Sequence, residues 1–122
     1  MQHAPGFLKL VDDAKTRVHE VNIDTLRARL EANPQLVLLD VREESEWTVG
    51  HARQARSLGK GILERDLETL YPNRDAEIVM YCGGGFRSAL ACDAAQRMGY
   101  TNVSSLIGGY KGLITANWEI IR

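Results

Sequence analysis

The sequence predicts an α/β fold in which a parallel β-sheet carries helices on both faces. Two apolar runs, 36–41 and 77–81, lack any alternation of polar and apolar side chains, as is typical of strands buried on both faces. Residues 88–98 have the pattern of a helix, and Gly99 follows in the position of a C-terminal cap. Strands and helices alternate along the chain, which favours a parallel sheet with crossover helices.

The first third of the chain contains two predicted helices and two predicted strands. Apolar side chains at helical spacing in residues 7–18 predict an amphipathic N-terminal helix. Residues 18–23 predict a short edge strand, and residues 24–32 predict a helix that Asn33-Pro34 ends. The apolar run 36–41 follows as the first buried strand.

The rest of the chain repeats the alternation of strands and helices. Residues 42–48 are acidic and predict a short helix or turn, whereas the polar and basic residues 50–59 predict a loop. Residues 62–70 have helical spacing and predict a helix. The remaining elements are, in order, the buried strand 77–81, the helix 88–98, a strand at 102–106, and a short C-terminal helix or tail that holds Trp118.

Length and composition predict a single domain with a modest core. The chain has 122 residues, of which 44% are hydrophobic and 25% are charged. Its net charge of −1 gives no reason to expect nucleic acid or an anionic membrane as a partner. The chain shows no apolar run of membrane-spanning length and no secretory signal, so we expect a cytoplasmic protein.

The cysteine count predicts free thiols. Two cysteines are too few for a disulfide scaffold or a four-ligand zinc site, and the three histidines are scattered, so we expect no metal. Cys92 falls on the alanine-rich face of a predicted helix, where burial is favoured over a role as a resolving thiol. Cys82 is expected to be a free thiol in a reducing compartment.

The segment that follows the second buried strand carries the strongest functional signal. It consists of Cys82, Gly83, Gly84, Gly85, Phe86, Arg87 and Ser88. The glycines free the backbone amides to converge on the sulfur, and a helix begins where they end. Both effects lower the pKa of a thiol below its usual value of about 8.5. The segment therefore predicts a nucleophilic cysteine that acts on a small anionic or sulfur-bearing substrate.

Charged and polar neighbours are expected to support this loop. Arg87 is suited to contact an anionic donor or to brace the loop, and the sequence leaves both roles open. Ser88 is interpreted as a helix N-cap in preference to an anion ligand. Asp40, at the end of the other buried strand, is expected to orient the loop or Arg42. The i, i+4 spacing of Arg42 and Glu46 predicts an ion pair.

Residues 20–112 resemble the rhodanese-like, single-domain sulfurtransferases. The segments that carry the resemblance are Leu38-Leu39-Asp40-Val41-Arg42-Glu43, Glu46-Trp47, Gly50-His51, Val79-Met80-Tyr81-Cys82, Arg87-Ser88-Ala89, Gly99-Tyr100-Thr101-Asn102-Val103 and Gly108-Gly109. The chain departs from the family pattern in two places. Residues 52–56 replace the usual apolar-Pro-Gly-Ala motif, and Trp118 lies further after Gly108-Gly109 than the family's tryptophan usually does. The resemblance divides the chain into an N-terminal helical extension, 1–18, and a rhodanese-like domain, 19–122. The extension is expected to cover the sheet or to form a dimer contact.

The resemblance implies a thiosulfate-type sulfurtransferase that needs no cofactor. The Cys82 thiolate would take the outer sulfur of thiosulfate or a persulfide donor and pass it to cyanide or a thiol. A sulfur-relay module that serves protein partners is an open alternative. A cysteine-based phosphatase or arsenate reductase is disfavoured, because such relatives carry a loop one residue longer than Cys82–Arg87. A non-catalytic interaction domain is disfavoured because it would not need the cysteine.

Overall fold

The computed structural model describes residues 2–122, so Met1, the first residue of the predicted N-terminal extension, lies outside the described residues. In chain order, these residues form α1 (Pro5–Lys15), β1 (His19–Val21), α2 (Ile23–Ala32), β2 (Val37–Asp40), α3 (Glu44–Val49), β3 (His51–Ala52), β4 (Ala55–Ser57), α4 (Lys60–Leu70), β5 (Ile78–Tyr81), α5 (Phe86–Arg97), β6 (Val103–Leu106), α6 (Gly109–Thr115) and β7 (Ile120–Ile121). None of the helices within 2–122 has the length and apolar character needed to cross a bilayer.

A five-stranded parallel sheet forms the centre of the fold. Its strand order is β1-β6-β5-β2-β4, so β5 lies between β2 and β6, and β1 is an edge strand as predicted. Leu39 and Met80 are register partners across β2 and β5, and Met80 pairs in turn with Ser105 of β6. The carboxyl ends of these three strands meet at one edge of the sheet. The predicted α/β class with a parallel sheet is therefore confirmed.

Apolar side chains cover both faces of the sheet, as expected for strands without alternation. One buried cluster joins the sheet to α4 and α5 and is made by Leu39, Val41, Leu58, Leu63, Leu67, Ile78, Met80, Cys82, Ala91, Cys92, Ala95, Tyr100 and Val103. The other joins the sheet to α2 and α6 and is made by Val21, Leu26, Leu36, Leu38, Ala52, Ala55, Val79, Tyr81, Leu106, Leu113 and Trp118. Helices therefore pack on both faces.

The prediction of a loop over 50–59 is wrong. Two short strands lie there: β4 pairs in parallel with β2, and β3 pairs antiparallel with β7, which the sequence did not predict. Strands of two or three residues are too short to show a hydrophobic period, and their pairing comes from distant partners. Other boundaries shift by a few residues; α1 ends at Lys15 instead of residue 18, and α5 begins at Phe86 instead of Ser88.

The N-terminal helix packs against α5, one layer away from the sheet. Its apolar face buries Val11 and Ala14. Just beyond the helix, Arg17 donates hydrogen bonds of 3.0 and 2.9 Å to the two carboxylate oxygens of Asp93 on α5. The helix therefore covers another helix, not the sheet, and its first turn lies beside the start of α5.

Candidate active site

The loop that joins β5 to α5 lies at the carboxyl edge of the sheet, where parallel α/β folds bind ligands. Cys82 directly follows β5, and α5 begins four residues later at Phe86. Gly85 has a φ of 100°, in the left-handed region, and a Cβ at this position would lie 3.3 Å from the Leu106 carbonyl oxygen. The backbone conformation therefore favours glycine there, and a side chain would also require its neighbours to move.

The Cys82 sulfur receives hydrogen bonds from the loop that follows it. The amides of Gly85 and Ser88 point at Sγ with N···S distances of 3.1 and 3.3 Å, and the Ser88 hydroxyl lies 3.5 Å away. The amides belong to the turn and to the first turn of α5, where backbone N–H groups have no intrahelical partner. This geometry matches the cradle of amides predicted from the glycine run.

The two cysteines differ in ionisation for a clear physical reason. Burial raises the pKa of the Cys82 thiol, but hydrogen bonds from the Ser88 hydroxyl and from the loop amides lower it by more, so the net pKa is depressed. Burial also raises the pKa of Cys92, and no hydrogen bond opposes it there. Cys92 is buried on α5, as predicted, and both thiols are free. Cys82 is the thiol that ionises more readily.

Ser88 has a different role from the predicted N-cap. Gly85 occupies the N-cap position, and Ser88 lies in the first turn of α5, fully buried. Its hydroxyl is 2.7 Å from the Ser105 hydroxyl on β6 and 3.5 Å from the Cys82 sulfur, so Ser88 can accept from Ser105 and donate to the sulfur when Cys82 is a thiolate. The side chain therefore takes part in a short hydrogen-bonded chain that ends on Cys82.

The amino end of α6 holds the loop from the other side. The amides of Tyr110 and Lys111 donate to the carbonyl oxygens of Cys82 and Gly83, at 2.7 and 3.1 Å. Gly109 makes this approach possible: a Cβ there would lie 2.9 Å from the Gly83 carbonyl and closer still to that of Cys82. These bonds fix two peptide planes of the loop against the sheet edge.

Arg87, in the first turn of α5, pairs with Glu46 of α3. Two hydrogen bonds of 2.8 and 3.1 Å join the guanidinium to the two carboxylate oxygens. The pair lowers the pKa of Glu46, chiefly through the hydrogen bond from Arg87. The predicted ion pair of Arg42 with Glu46 is therefore wrong, because Glu46 turns to a cation that lies 41 residues away in sequence.

Arg42 instead pairs with Asp40, the last residue of β2. The guanidinium donates to both carboxylate oxygens at distances from 2.7 to 3.2 Å, and also to the Gly50 carbonyl at 2.7 Å. Its centre lies 4.0 Å from the centroid of the Tyr110 ring. Asp40 and Arg42 are both buried. Asp40 thus orients Arg42, as expected. Arg42 in turn contacts Gly50 and Tyr110, and the Tyr110 amide donates to the Cys82 carbonyl.

A cavity of about 520 Å³ opens onto the cysteine. It is lined by His3, Phe7, Glu46, Cys82, Gly83, Gly84, Phe86, Arg87 and Lys111. Cys82 is only 1% exposed, yet it lines this space, so the residue lies at the bottom of the cavity. Arg87 and Lys111 supply two cations against the single carboxylate of Glu46, which leaves the lining with an excess positive charge suited to an anion.

Four of these lining residues were missing from the sequence-based site: His3, Phe7, Glu46 and Lys111. The sequence placed Glu46 only in an ion pair with Arg42. A signal also existed for Lys111, which closely follows Gly108-Gly109 after a predicted strand and therefore falls at the carboxyl edge. His3 and Phe7 carry no local signal, because only the packing of α1 on α5 brings them to the loop. Within residues 2–122, no cluster of three His, Cys, Asp or Glu side chains is arranged to hold a metal ion.

Comparison with known proteins gives the family. The family model of the Rhodanese-like domain matches residues 22–116. The Bacillus subtilis (strain 168) protein named "Putative sulfurtransferase YtwF" is 32% identical over 87 residues, which cover 71% of this chain and 82% of that protein. An Allochromatium vinosum protein named "Sulfurtransferase" is 30% identical over 92 residues, which cover 75% and 84%.

A solved structure resembles nearly the whole chain, including the part before residue 22. It is a Rhodopseudomonas palustris protein of unknown function, described as a "Possible Tyrosine Phosphatase". The TM-score is 0.85 at 25% identity, and the match covers 99% of this chain and 98% of that one. This chain belongs to the Rhodanese-like domain family, and its curated relatives support sulfur transfer as its general activity.

Proposed function

We propose that this protein is a sulfurtransferase that carries sulfane sulfur as a persulfide on Cys82. The observation that supports this most directly is the geometry of the thiol. Cys82 lines an open cavity, and its sulfur accepts hydrogen bonds from two amides and lies 3.5 Å from the Ser88 hydroxyl, interactions that lower the pKa of the thiol. A thiolate at neutral pH is the nucleophile that attack on a sulfane sulfur requires.

The proposed reaction has two steps. The Cys82 thiolate attacks the outer sulfur of thiosulfate; the new S–S bond forms as the old one breaks, and sulfite leaves with the electron pair. Cyanide or a thiolate then attacks the outer sulfur of the persulfide and restores the Cys82 thiolate. The loop amides stabilise the negative sulfur in both steps, and Arg87 and Lys111 attract the anionic donor.

Phosphate-ester hydrolysis fits the cavity less well. A phosphatase of this kind needs a protonated acid to donate to the leaving group, and Glu46 is the only carboxyl among the described residues that line the cavity. Glu46 is paired with Arg87, which lowers its pKa, so this carboxyl is ionised at neutral pH. The ion pair therefore favours sulfur transfer, in which no leaving group must be protonated.

Intact-mass measurement after incubation with thiosulfate tests the proposal. We expect the wild type and Cys92→Ala to gain one sulfur atom, cyanide to remove it, and Cys82→Ser to gain none. Cys92→Ala is the matched control because it removes the other thiol. Labelling by a protein persulfide but not by thiosulfate would favour the relay alternative. Hydrolysis of an aryl phosphate without any sulfur adduct would contradict the proposal.

A further inference from the structure

An aromatic cluster forms one wall of the cavity and joins the N-terminal segment to the loop. The His3 ring lies 4.5 Å from the Phe86 ring and 5.3 Å from the Phe7 ring, measured between centroids. The rings of Phe7 and Phe86 are stacked at 6.2 Å. Phe86 belongs to the loop segment itself, whereas His3 and Phe7 precede residue 22, where the match to the family model begins. We call these three side chains the aromatic wall.

The aromatic wall is anchored to the body of the protein. Val11 and Ala14, which belong to α1, are buried, and Arg17 donates two hydrogen bonds to Asp93 of α5. The Lys15 ammonium lies 5.0 Å from the centroid of the Phe86 ring, on the same cluster. The position of Phe7 relative to the loop is therefore set by a packed helix.

The rings of the aromatic wall are only partly buried, and all three line the cavity that holds the thiol. A cavity of about 520 Å³ is within the range of sites that take organic ligands, for which apolar and aromatic lining is typical. Thiosulfate has only two sulfur and three oxygen atoms and no apolar part. It would occupy the polar floor near Cys82 and leave the rings without a partner.

Resting on the proposed sulfurtransferase function, we propose that the aromatic wall selects anionic sulfur donors in which the group that carries the sulfane sulfur is attached to an apolar organic body. The cations of Arg87 and Lys111 bind the anionic end of such a donor, and the rings pack against its body. For an organic thiosulfonate, the Cys82 thiolate attacks the terminal sulfur, the S–S bond of the donor breaks, and a sulfinate leaves with the electron pair. The Cys82 persulfide is the other product, so atoms and charge balance.

Two thiosulfonates that share one reacting group test the selection. Benzenethiosulfonate and methanethiosulfonate carry the same sulfane sulfur and the same charge, and only the first has a ring. We expect Phe7→Ala to lower the ratio of kcat/KM for benzenethiosulfonate to that for methanethiosulfonate by roughly threefold to tenfold, the effect of losing one aromatic contact. His3→Ala should lower it in the same direction. Leu10→Ala, which trims an exposed side chain on α1, should leave it unchanged.

The outcomes separate this inference from the function on which it rests. An unchanged or increased ratio in both Phe7→Ala and His3→Ala, with persulfide still formed, would overturn the selection and leave sulfur transfer intact. If Phe7→Ala loosens α1, as judged by circular dichroism, His3→Ala decides, because His3 precedes the helix. If the wild type forms no persulfide with any donor, the sulfurtransferase function fails as well.

Discussion

Replacement of Ser88 by alanine removes the hydroxyl that lies 3.5 Å from the Cys82 sulfur and leaves the Ser88 amide in place. A hydrogen bond to a charged group contributes about 1.5–3 kcal/mol. The long distance places this bond at the lower end of that range, which corresponds to a change of roughly tenfold in the thiol ionisation constant. The pKa of Cys82 should therefore rise, and at pH values well below the wild-type midpoint the fraction of thiolate should fall roughly tenfold.

The assay is the rate of alkylation by iodoacetamide as a function of pH, in a Cys92→Ala background that leaves one thiol. The wild-type midpoint should lie below that of an ordinary free thiol, because hydrogen bonds to the sulfur depress the pKa of Cys82 despite its burial. The midpoint of Ser88→Ala should lie higher, and Ser57→Ala, at an exposed serine, should match the wild type. If the midpoint of Ser88→Ala equals that of the wild type, the Ser88 hydroxyl does not stabilise the Cys82 thiolate.

Four further predictions concern charged side chains. Arg42→Ala leaves the buried Asp40 carboxylate without its partner and should lower the free energy of unfolding in urea by about 3–5 kcal/mol. Lys111→Ala removes a cation from the cavity and should lower kcat/KM for thiosulfate roughly fivefold at low salt, with a smaller effect at high salt. Arg87→Ala should raise KM for thiosulfate with the fold retained, whereas Glu46→Gln should lower KM, because it removes the negative charge that offsets Arg87.

Each of these predictions has a control or a contrary result. Arg65→Ala breaks an exposed ion pair and should change the free energy of unfolding by less than about 1 kcal/mol. If Arg42→Ala lowered the free energy of unfolding by no more than Arg65→Ala does, the argument that burial makes the Asp40–Arg42 pair important would be wrong. Lys9→Ala, at an exposed lysine on α1, should leave thiosulfate kinetics unchanged. A higher KM in Glu46→Gln would show that the ion pair braces the loop instead of limiting its charge.

The sequence predicts the parts of this site that are local and leaves out those that depend on distant packing. The loop 82–88 is recognisable because its cysteine, glycines and arginine are adjacent, and buried strands such as β5 show as unbroken apolar runs. The partner of Glu46 could not be identified in the same way. Helical spacing suggests Arg42 as the partner of Glu46, but in the folded structure Glu46 pairs with Arg87 and Arg42 pairs with Asp40. No local sequence pattern predicts this choice of partners.

The N-terminal segment shows the same limit at longer range. Its amphipathic pattern predicts a helix but does not tell which surface the apolar face covers. The answer depends on α5, more than 70 residues later, where Asp93 accepts two hydrogen bonds from Arg17. Only that docking brings Phe7 and His3 to the cavity. Residues without a local signal therefore enter the site through the packing of a helix that precedes the match to the family model.

Burial by itself works against the proposed chemistry of Cys82, because desolvation raises the pKa of a thiol. The pKa is lowered only while the Ser88 hydroxyl and the loop amides, including those of Gly85 and Ser88, stay aimed at the sulfur. Their direction depends on contacts outside the hydrogen bonds themselves, including the close approach of Gly109 to the loop carbonyls. Electrostatic stabilisation of this kind is effective when the donors are fixed before the charge develops. The rigidity of the loop is therefore a requirement for a reactive thiolate in so buried a position.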